Sequence, residues 1–271
     1  MTANIDLERF RTGAPQYAAY LKTPEGRLRI DLCFENLKEF LSRRTRSLNA
    51  LDLGCGTGTV AIRLAGLGVH VTLLDESISM LDLAERAAGE EGVTQRVTLK
   101  QGDAAQMSNL FRGELFDVIL CHNILEYVDD PCGLLRSAAP LLRDSSSLLS
   151  VLVRNQAGEV LKTAIKDGDL DSAERNLNAE SSNESLYGGS VRLFVPASLQ
   201  AMLIAASLEV TSERGVRVLS DYLPAKISRD DQYERILDLE SKLGRRSEWA
   251  AIARYTHLLA HPAGCVVRDG A

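Results

Sequence analysis

The feature that most constrains this chain is a glycine-rich turn at residues 51–58, which read LDLGCGTG. An apolar run at 48–53, typical of a buried strand, leads into the turn, and apolar residues at helical spacing follow it from Val60. Glycines at such a turn let the backbone approach a ligand closely, because no side chain intervenes. The spacing is G-x-G-x-G, with Thr59 where a dinucleotide fingerprint has its third glycine. The pattern predicts a ligand-binding strand–turn–helix unit.

Two carboxylates accompany this turn. Asp52 lies two residues before the first glycine, where its negative charge favours an ammonium or sulfonium group over a phosphate. Asp75 ends a second apolar run, at 69–74, which is typical of a buried parallel strand. A carboxylate at the tip of the second strand can accept hydrogen bonds from both ribose hydroxyls. We therefore expect a positively charged nucleoside at this site.

Further predicted strands continue the same arrangement. They lie at 97–101, 116–121 and 148–153, and a helix is expected to begin near Ser77. The third strand runs into Gly102 and Asp103, and the fourth runs into His122 and Asn123. Open α/β sheets bind ligands at the carboxyl ends of their strands, so these loops are candidate site loops.

Taken together, these motifs resemble those of class I S-adenosylmethionine-dependent methyltransferases, from about residue 48 to residue 153. The segments that carry the resemblance are LDLGCGTG, LLDES, QGDA and FDVIL. It implies a Rossmann-like, doubly wound α/β fold with a seven-stranded, mostly parallel sheet whose seventh strand is antiparallel. It also implies S-adenosylmethionine as the cofactor.

Composition agrees with a globular enzyme of this kind. Hydrophobic residues make up 45% of the chain and charged residues 25%. The five cysteines show no paired spacing, and no signal sequence or apolar span is evident, so we expect a cytoplasmic protein away from membranes. The acidic segment 167–171 lacks the glycine and closing glutamate positions of a calcium loop, and we expect no metal.

The flanks divide the chain further. We expect an N-terminal helical segment at 1–47 that covers the cofactor, the cofactor-binding core at 48–153, and a helical cap insertion at 154–194. The part at 195–271 is expected to return to the sheet, with strands at 208–218 and 253–260. A helical pattern from Tyr233 to Leu243 separates these two strands, which class I methyltransferases often join by a short hairpin.

That insertion accompanies a narrower resemblance, which runs from near residue 9 to near residue 261. The chain is similar to tRNA carboxymethoxyuridine methyltransferases, which methylate the carboxylate of a wobble-position uridine. The similarity is carried by Asp75 and by the segments at 26–29, 122–127, 214–218, 221–223 and 253–257. In that family the glycine turn reads GGGEG and the cap is more basic and aromatic.

The resemblance also implies roles for individual residues. Arg29 would contact the carboxylate of the cofactor, since its guanidinium is always charged and suits bidentate pairing. Asp75 would hold the ribose, and the backbone at Ala104 and Ala105 would meet the adenine edge. His122 would lie near both cofactor and substrate. The predicted cofactor-binding residues are Arg29, Asp52, Gly54, Cys55, Gly56, Asp75, Asp103, Ala104, Ala105 and His122.

Predicted substrate-binding residues are Arg217, Tyr222 and Arg254, with Arg217 orienting the acceptor and His122 as a catalytic candidate. The sulfonium methyl is already activated, so transfer is an in-line displacement that depends on positioning and exclusion of water. A carboxylate acceptor is ionised at pH 7 and needs no base. A phenol or amine acceptor would need one, with His122 or His257 available.

Two substrate classes stay open: a tRNA nucleotide, and a small molecule such as a metabolite or natural-product intermediate. The chain carries 31 Lys and Arg against 37 Asp and Glu, a net charge of −6, so phosphate binding would need a local basic patch. The sequence does not set the oligomeric state. Arginines available for such a patch are Arg11, Arg27, Arg43, Arg44, Arg46, Arg217, Arg229, Arg245, Arg246 and Arg254.

Overall fold

A central sheet with helices on both faces organises the computed structural model, which describes residues 2–41, 47–183, 186 and 188–264. The strands, in chain order, are β1 (Asn49–Leu53), β2 (His70–Asp75), β3 (Val97–Gln101), β4 (Val118–His122), β5 (Leu148–Arg154), β6 (Ser181–Asn183), β7 (Ser190–Arg192), β8 (Leu208–Val216) and β9 (Tyr255–Pro262). The helices are α1 (Thr2–Leu21), α2 (Pro24–Leu41), α3 (Thr59–Gly66), α4 (Ile78–Glu90), α5 (Met107–Leu110), α6 (Pro131–Ala138), α7 (Gln156–Leu161), α8 (Leu170–Asn176), α9 (Pro196–Ala205), α10 (Tyr233–Gly244) and α11 (Ser247–Ala250).

Seven strands form the sheet, in the order β3-β2-β1-β4-β5-β9-β8. All neighbouring pairs from β3 to β5 are parallel, whereas β9 runs antiparallel to both β5 and β8. The predicted Rossmann-like, mostly parallel sheet with an antiparallel seventh strand is confirmed. The strand order reverses between β1 and β4, and ligands of such sheets bind in the crevice at this switch point.

The burial of the strands explains why the sequence reads as apolar runs. Every residue of β5 is buried, because helices cover both faces of the sheet. One apolar cluster on one face includes Leu53, Ile119 and Val151, and a second cluster includes Leu64, Val71 and Leu120. The helix expected near Ser77 is α4, whose first turn Ser77 caps by accepting a hydrogen bond from Met80 N at 3.4 Å.

The insertion after β5 folds over the carboxyl ends of the strands. It contains α7, a π-helical turn at Lys162–Lys166, α8 and the two-stranded hairpin β6–β7. The insertion is thus partly helical, and it also contains a hairpin that was not predicted. Arg9 of α1 donates to Gly188 O at 3.0 Å, which ties the N-terminal helix to the cap. Within the described residues, no helix is both long enough and apolar enough to cross a membrane.

The insertion between β8 and β9 is anchored by a buried glutamate. Glu240 on α10 is fully buried, and its carboxylate accepts three backbone N–H bonds. The donors are Val218 at 2.6 Å, Leu219 at 3.0 Å and Ser220 at 2.7 Å. A carboxylate surrounded by backbone donors satisfies groups that would otherwise be buried unpaired. Glu240 thus fixes the turn that follows β8.

Replacing Glu240 with alanine should destabilise the protein by roughly 3–5 kcal/mol, because three buried backbone N–H groups would lose their acceptor. The free energy of unfolding in urea measures this loss. Glu234→Ala, an exposed position on the same helix, is the matched control and should cost less than about 1 kcal/mol. Equal effects of the two substitutions would show that the three backbone bonds contribute no net stability.

Candidate functional site

A cavity of about 580 Å³ opens at the switch point between β1 and β4. Its walls come from the loops after β1, β2, β3 and β4, from α1 and α2, and from the start of the cap. All the predicted cofactor-binding residues line it: Arg29, Asp52, Gly54, Cys55, Gly56, Asp75, Asp103, Ala104, Ala105 and His122. These residues, all predicted from the sequence, therefore lie together around one cavity.

The glycine turn forms the floor of this cavity. Gly54, Gly56 and Gly58 have φ angles of 61°, 54° and 66°, in the left-handed region that glycine adopts without strain. A Cβ at Gly54 would lie 2.7 Å from the Ile124 side chain. At Gly56 it would lie 3.4 Å from the Tyr17 ring. The turn therefore requires glycine for its backbone conformation and for the space above it.

Two buried carboxylates lie at the ends of β1 and β2. Burial, and then the charge of Asp75, raise the pKa of Asp52 to about 8. The side chain of Asp52 makes no hydrogen bond to any residue that the structure describes. Burial also raises the pKa of Asp75 to about 6, although its carboxylate accepts from Gly56 N at 2.8 Å and from Ser77 N at 2.9 Å. A bound cation would offset the cost of burying these charges.

The loop after β3 closes one end of the cavity. Asp103 caps a short 3₁₀ turn at Ala104–Gln106, and its carboxylate accepts from Ala105 N at 2.7 Å. Ala104 is buried and Ala105 is exposed. The arrangement leaves backbone groups and small side chains at this wall, which suits a flat ring.

The opposite end of the cavity is crossed by a chain of polar side chains, which we call the acceptor-end chain: Tyr17, Arg29, Asn123, Glu126 and Arg154. Arg29 donates to the Tyr17 hydroxyl at 2.8 Å and to Asn123 Oδ1 at 3.3 Å. Glu126 accepts from Asn123 Nδ2 at 2.7 Å and from Arg154 Nε at 3.1 Å. All five line the cavity, so this end presents two guanidinium groups and one carboxylate.

His122 is placed at the end of β4, where its ring lines the cavity. Its Nε2 lies 2.7 Å from Ser150 Oγ, and Ser150 Oγ lies 2.8 Å from His257 Nε2. Burial, His257 and Arg29 hold the pKa of His122 well below its ordinary value, so the ring is neutral at pH 7. His257, the alternative candidate base, is fully buried behind Ser150 and is not among the residues that line the cavity.

The predicted substrate-binding residues lie elsewhere. In the part of the chain that the structure describes, Arg217, Tyr222 and Arg254 do not line the cavity. Arg217 is buried, pairs with Asp221 and donates to the Tyr20 hydroxyl at 2.8 Å. Arg254 is buried and pairs with Glu159 of the cap. Both guanidinium groups are paired and neither lines the cavity, so the geometry does not support their direct contact with an acceptor.

Tyr222 is half-buried beside these pairs. Its hydroxyl lies 3.5 Å from Gly158 O, and burial together with Asp221 raises its pKa to about 12. It therefore stays a neutral phenol at physiological pH and contacts the cap instead of the cavity.

The arginines proposed for a phosphate-binding patch are also largely engaged. Arg245 pairs with Glu39, Arg229 with Glu25 at 3.3 Å, and Arg11 with Glu8 at 2.5 Å. Arg27 lies over the Tyr233 ring and 3.9 Å from Asp230. Arg246 is exposed, whereas Arg43, Arg44 and Arg46 lie outside the described residues. The described arginines are therefore distributed among separate ion pairs.

Asn123 was expected only as part of the loop after the fourth strand. The site residues not predicted from sequence are Tyr17, Glu126 and Arg154 in the acceptor-end chain, and Ser150 behind His122. Arg154 ends strand β5, so the rule that found the other loops also applies to it. Ser150 is a lone hydroxyl within an apolar strand, which is itself a signal. Tyr17 and Glu126 gave no signal of this kind, because their role depends on tertiary contacts.

Comparison with known proteins agrees with this geometry. The family described as "Methyltransferase domain" matches residues 44–207. The tRNA 5-carboxymethoxyuridine methyltransferase of Escherichia coli (strain K12) is 30% identical over 239 residues, 88% of this chain and 89% of that protein. The ubiquinone biosynthesis O-methyltransferase of Actinobacillus pleuropneumoniae serotype 7 (strain AP76) is 36% identical over 101 residues, 36% of this chain and 42% of that protein.

A solved structure shows the same fold at low identity. The magnesium protoporphyrin IX methyltransferase from Synechocystis PCC 6803, with bound SAH, aligns with a TM-score of 0.63 and 16% identity. The alignment covers 95% of this chain and 97% of that one. The chain belongs to the methyltransferase-domain family, and it is a class I S-adenosylmethionine-dependent methyltransferase.

The residues present fit this cofactor. The left-handed glycine turn brings its backbone to the cavity, and Asp52 is a buried carboxyl group that a cationic group would stabilise in its ionised form. The Nε of Arg29 is buried without a hydrogen-bond partner, so the guanidinium can still donate. A positively charged sulfur nucleoside with a carboxylate at one end satisfies both groups.

Binding of S-adenosylmethionine should therefore release a proton at pH 7. Asp52 has a pKa of about 8 in the free protein and is mostly protonated at that pH, and a bound cation lowers its pKa. Affinity should rise by roughly tenfold per pH unit from pH 6 to pH 8 and level off above it. Calorimetry in buffers of different ionisation enthalpy measures the released proton.

Asp52→Asn is the matched variant, since it keeps the shape and removes the titration. We expect it to bind more weakly and to lose most of the proton release. If Asp52→Asn releases as many protons as the wild type, the protons come from the ligand or another group and the assignment to Asp52 fails.

Proposed function

We propose that this enzyme methylates the carboxylate of 5-carboxymethoxyuridine in tRNA. The proposal rests on the share of this chain that each relative matches. The relative that acts on tRNA matches 88% of the chain, a share that extends beyond the cofactor-binding core and into the cap. The ubiquinone O-methyltransferase relative matches 36%, a share compatible with the cofactor-binding core alone. The parts of the chain that select an acceptor are thus similar to the tRNA enzyme.

For the cofactor, we propose the following contacts. The Arg29 guanidinium pairs with the carboxylate, Asp52 faces the cationic part, and Gly54, Cys55 and Gly56 pass beneath the methionyl chain. Asp75 accepts from the ribose hydroxyls, and Asp103, Ala104 and Ala105 hold the adenine edge. When bound, the cofactor supplies an electrophilic methyl group on a sulfonium.

The acceptor-end chain supports a planar acceptor that carries an anion. Phe10, Tyr17 and Tyr127 supply aromatic surface beside it, which suits stacking with a pyrimidine. Arg154 is itself buried and paired with Glu126, but unlike Arg217 and Arg254 it lines the cavity, where its planar guanidinium can also pair with a carboxylate. We therefore assign the acceptor carboxylate to Arg154, in place of the Arg217 and Arg254 suggested by sequence.

Catalysis then follows from positioning. The acceptor carboxylate is ionised at pH 7 and needs no proton removed, which agrees with a neutral His122 whose pKa lies well below its ordinary value. Arg29, Asn123, Glu126 and Arg154 form one hydrogen-bonded arrangement at the acceptor end of the cavity. The reacting groups are aligned and water is excluded, which supplies most of the rate for an in-line displacement.

The net charge of −6 and the paired arginines favour recognition of the nucleotide over recognition of the tRNA backbone. Few phosphate contacts give a shallow dependence of binding on salt. A tRNA substrate also places the enzyme in the cytoplasm.

The direct test uses purified enzyme, S-adenosylmethionine and tRNA from cells that lack this methylation. After digestion, mass spectrometry of nucleosides should show 5-carboxymethoxyuridine converted to its methyl ester. Asp75→Ala enzyme is the control for dependence on the cofactor site. If the tRNA is untouched while a phenolic small molecule is methylated, the chain is a small-molecule O-methyltransferase and the tRNA proposal is wrong.

Arg154→Lys should lower kcat/KM for tRNA by about tenfold or more, because lysine keeps the charge but cannot form a planar bidentate pair. The affinity for S-adenosylmethionine should change little. Steady-state kinetics with varied tRNA, together with cofactor titration, separate the two effects. Arg175→Lys, on the exposed face of α8, is the matched control. An equal loss of affinity for S-adenosylmethionine would indicate that Arg154 binds the cofactor, and its assignment to the acceptor would be wrong.

A further inference from the structure

Behind His122, a line of polar side chains runs into the interior of the protein. Its inner members take no part in the contacts proposed for the cofactor and the acceptor. Asn36 Nδ2 lies 3.1 Å from His257 Nδ1. His257 Nε2 lies 2.8 Å from Ser150 Oγ, which lies 2.7 Å from His122 Nε2. We call these four residues the histidine relay. It joins α2, β9, β5 and β4 and ends at the cavity.

The inner members of the histidine relay are all buried. Asn36 is 7% exposed, and Ser150 and His257 are fully buried. Buried polar groups are costly unless each is satisfied, and apolar residues of the same size would pack without that cost. Each member is satisfied here by the next one, so the relay acts as a unit. Its one end that reaches the cavity is His122.

The amide of Asn36 sets the direction of the relay. Its Nδ2 can only donate, so His257 Nδ1 accepts. A neutral His257 then carries its proton on Nε2 and donates to Ser150 Oγ. The Ser150 hydroxyl in turn donates to His122 Nε2, which leaves the proton of a neutral His122 on Nδ1.

The relay also opposes protonation of His122. A second proton on His122 would face a Ser150 oxygen that already accepts from His257, and the hydroxyl proton would lose its acceptor. Burial and the surrounding charges also oppose protonation of His122. Burial, His257 and Arg29 lower the pKa of His122, and burial followed by Arg214 lowers the pKa of His257 to about 3.

We propose that Asn36, His257 and Ser150 are positioning residues that fix His122 as its Nδ1–H tautomer, so that it offers the cavity a hydrogen-bond donor and no base. Nδ1 has no hydrogen-bond partner among the described residues, and the ring lines the cavity. A donor suits an acceptor that arrives as a carboxylate, and for that acceptor the inference rests on the proposed function. A phenol or amine would need a proton acceptor at this place.

Nuclear magnetic resonance of the full chain tests the tautomer directly. The protein contains four histidines, so long-range proton–nitrogen spectra of ¹⁵N-histidine-labelled enzyme are simple to assign with His122→Gln and His257→Gln variants. We expect His122 with a protonated Nδ1 and an unprotonated Nε2, unchanged from pH 5 to pH 9. A proton on Nε2, or a titration within this range, would overturn the proposal.

Two variants test the cause. Ser150→Ala removes the middle of the histidine relay, and we expect His122 to become a mixture of tautomers. Asn36→Asp keeps the shape but replaces the donor with an acceptor, so it should move the proton of neutral His257 to Nδ1 and that of His122 to Nε2. Ser212→Ala, a buried strand serine outside the relay, is the matched control and should leave the His122 signals in place.

Unchanged His122 signals in both Ser150→Ala and Asn36→Asp would overturn the role of the histidine relay. Two variants are used so that the test remains possible if one of them fails to fold. The spectra need no acceptor, so they can succeed even if the tRNA assay fails. In active assays, Asn36→Asp should introduce a pH dependence of kcat that wild type lacks, while KM for S-adenosylmethionine stays the same.

Discussion

The placement of two carboxyl groups side by side beneath the glycine turn is the constraint on which this site depends. Asp52 and Asp75 end neighbouring parallel strands, and burial raises the pKa of both carboxyls. The sheet cannot move them apart, because Asp52 and Leu53 pair in register with Leu73 and Leu74, next to Asp75. Such an arrangement is unfavourable until a cation fills the space above it. The ends of the first two strands therefore determine the class of ligand, independently of the acceptor.

The fold could be predicted largely from the sequence because its signals are local. Strand β3 was predicted at 97–101 and occupies Val97–Gln101, and α10 was predicted from Tyr233 and begins there. Parallel strands covered on both faces read as apolar runs, and the site loops follow their ends. The β6–β7 hairpin was missed because each of its strands has only three residues, of which Val191 alone is apolar, so neither strand carries an apolar alternation.

The acceptor side could be predicted less well, and the reason is electrostatic. The sequence alone does not show which carboxylate pairs with a given arginine. Arg217 and Arg254 were expected to hold the substrate, yet Asp221 and Glu159 compensate them in buried pairs. A buried pair that loses one partner leaves an uncompensated charge, and neither of these arginines lines the cavity. Arg154 is also buried and paired, with Glu126, but it ends a strand at the cavity.

The two ends of the cavity are coupled through the N-terminal helices. Tyr17 of α1 lies against the glycine turn at Gly56 and accepts from Arg29 of α2. Arg29 in turn holds Asn123, whose backbone has a left-handed φ of 59°, and Asn123 holds Glu126 beside Arg154. A group that occupies the cofactor end therefore meets the same arginine that orders the acceptor end. Helix α1 contributes Phe10 and Tyr17 to the cavity wall, so it takes part both in the contact with the glycine turn and in the hydrogen bond to Arg29.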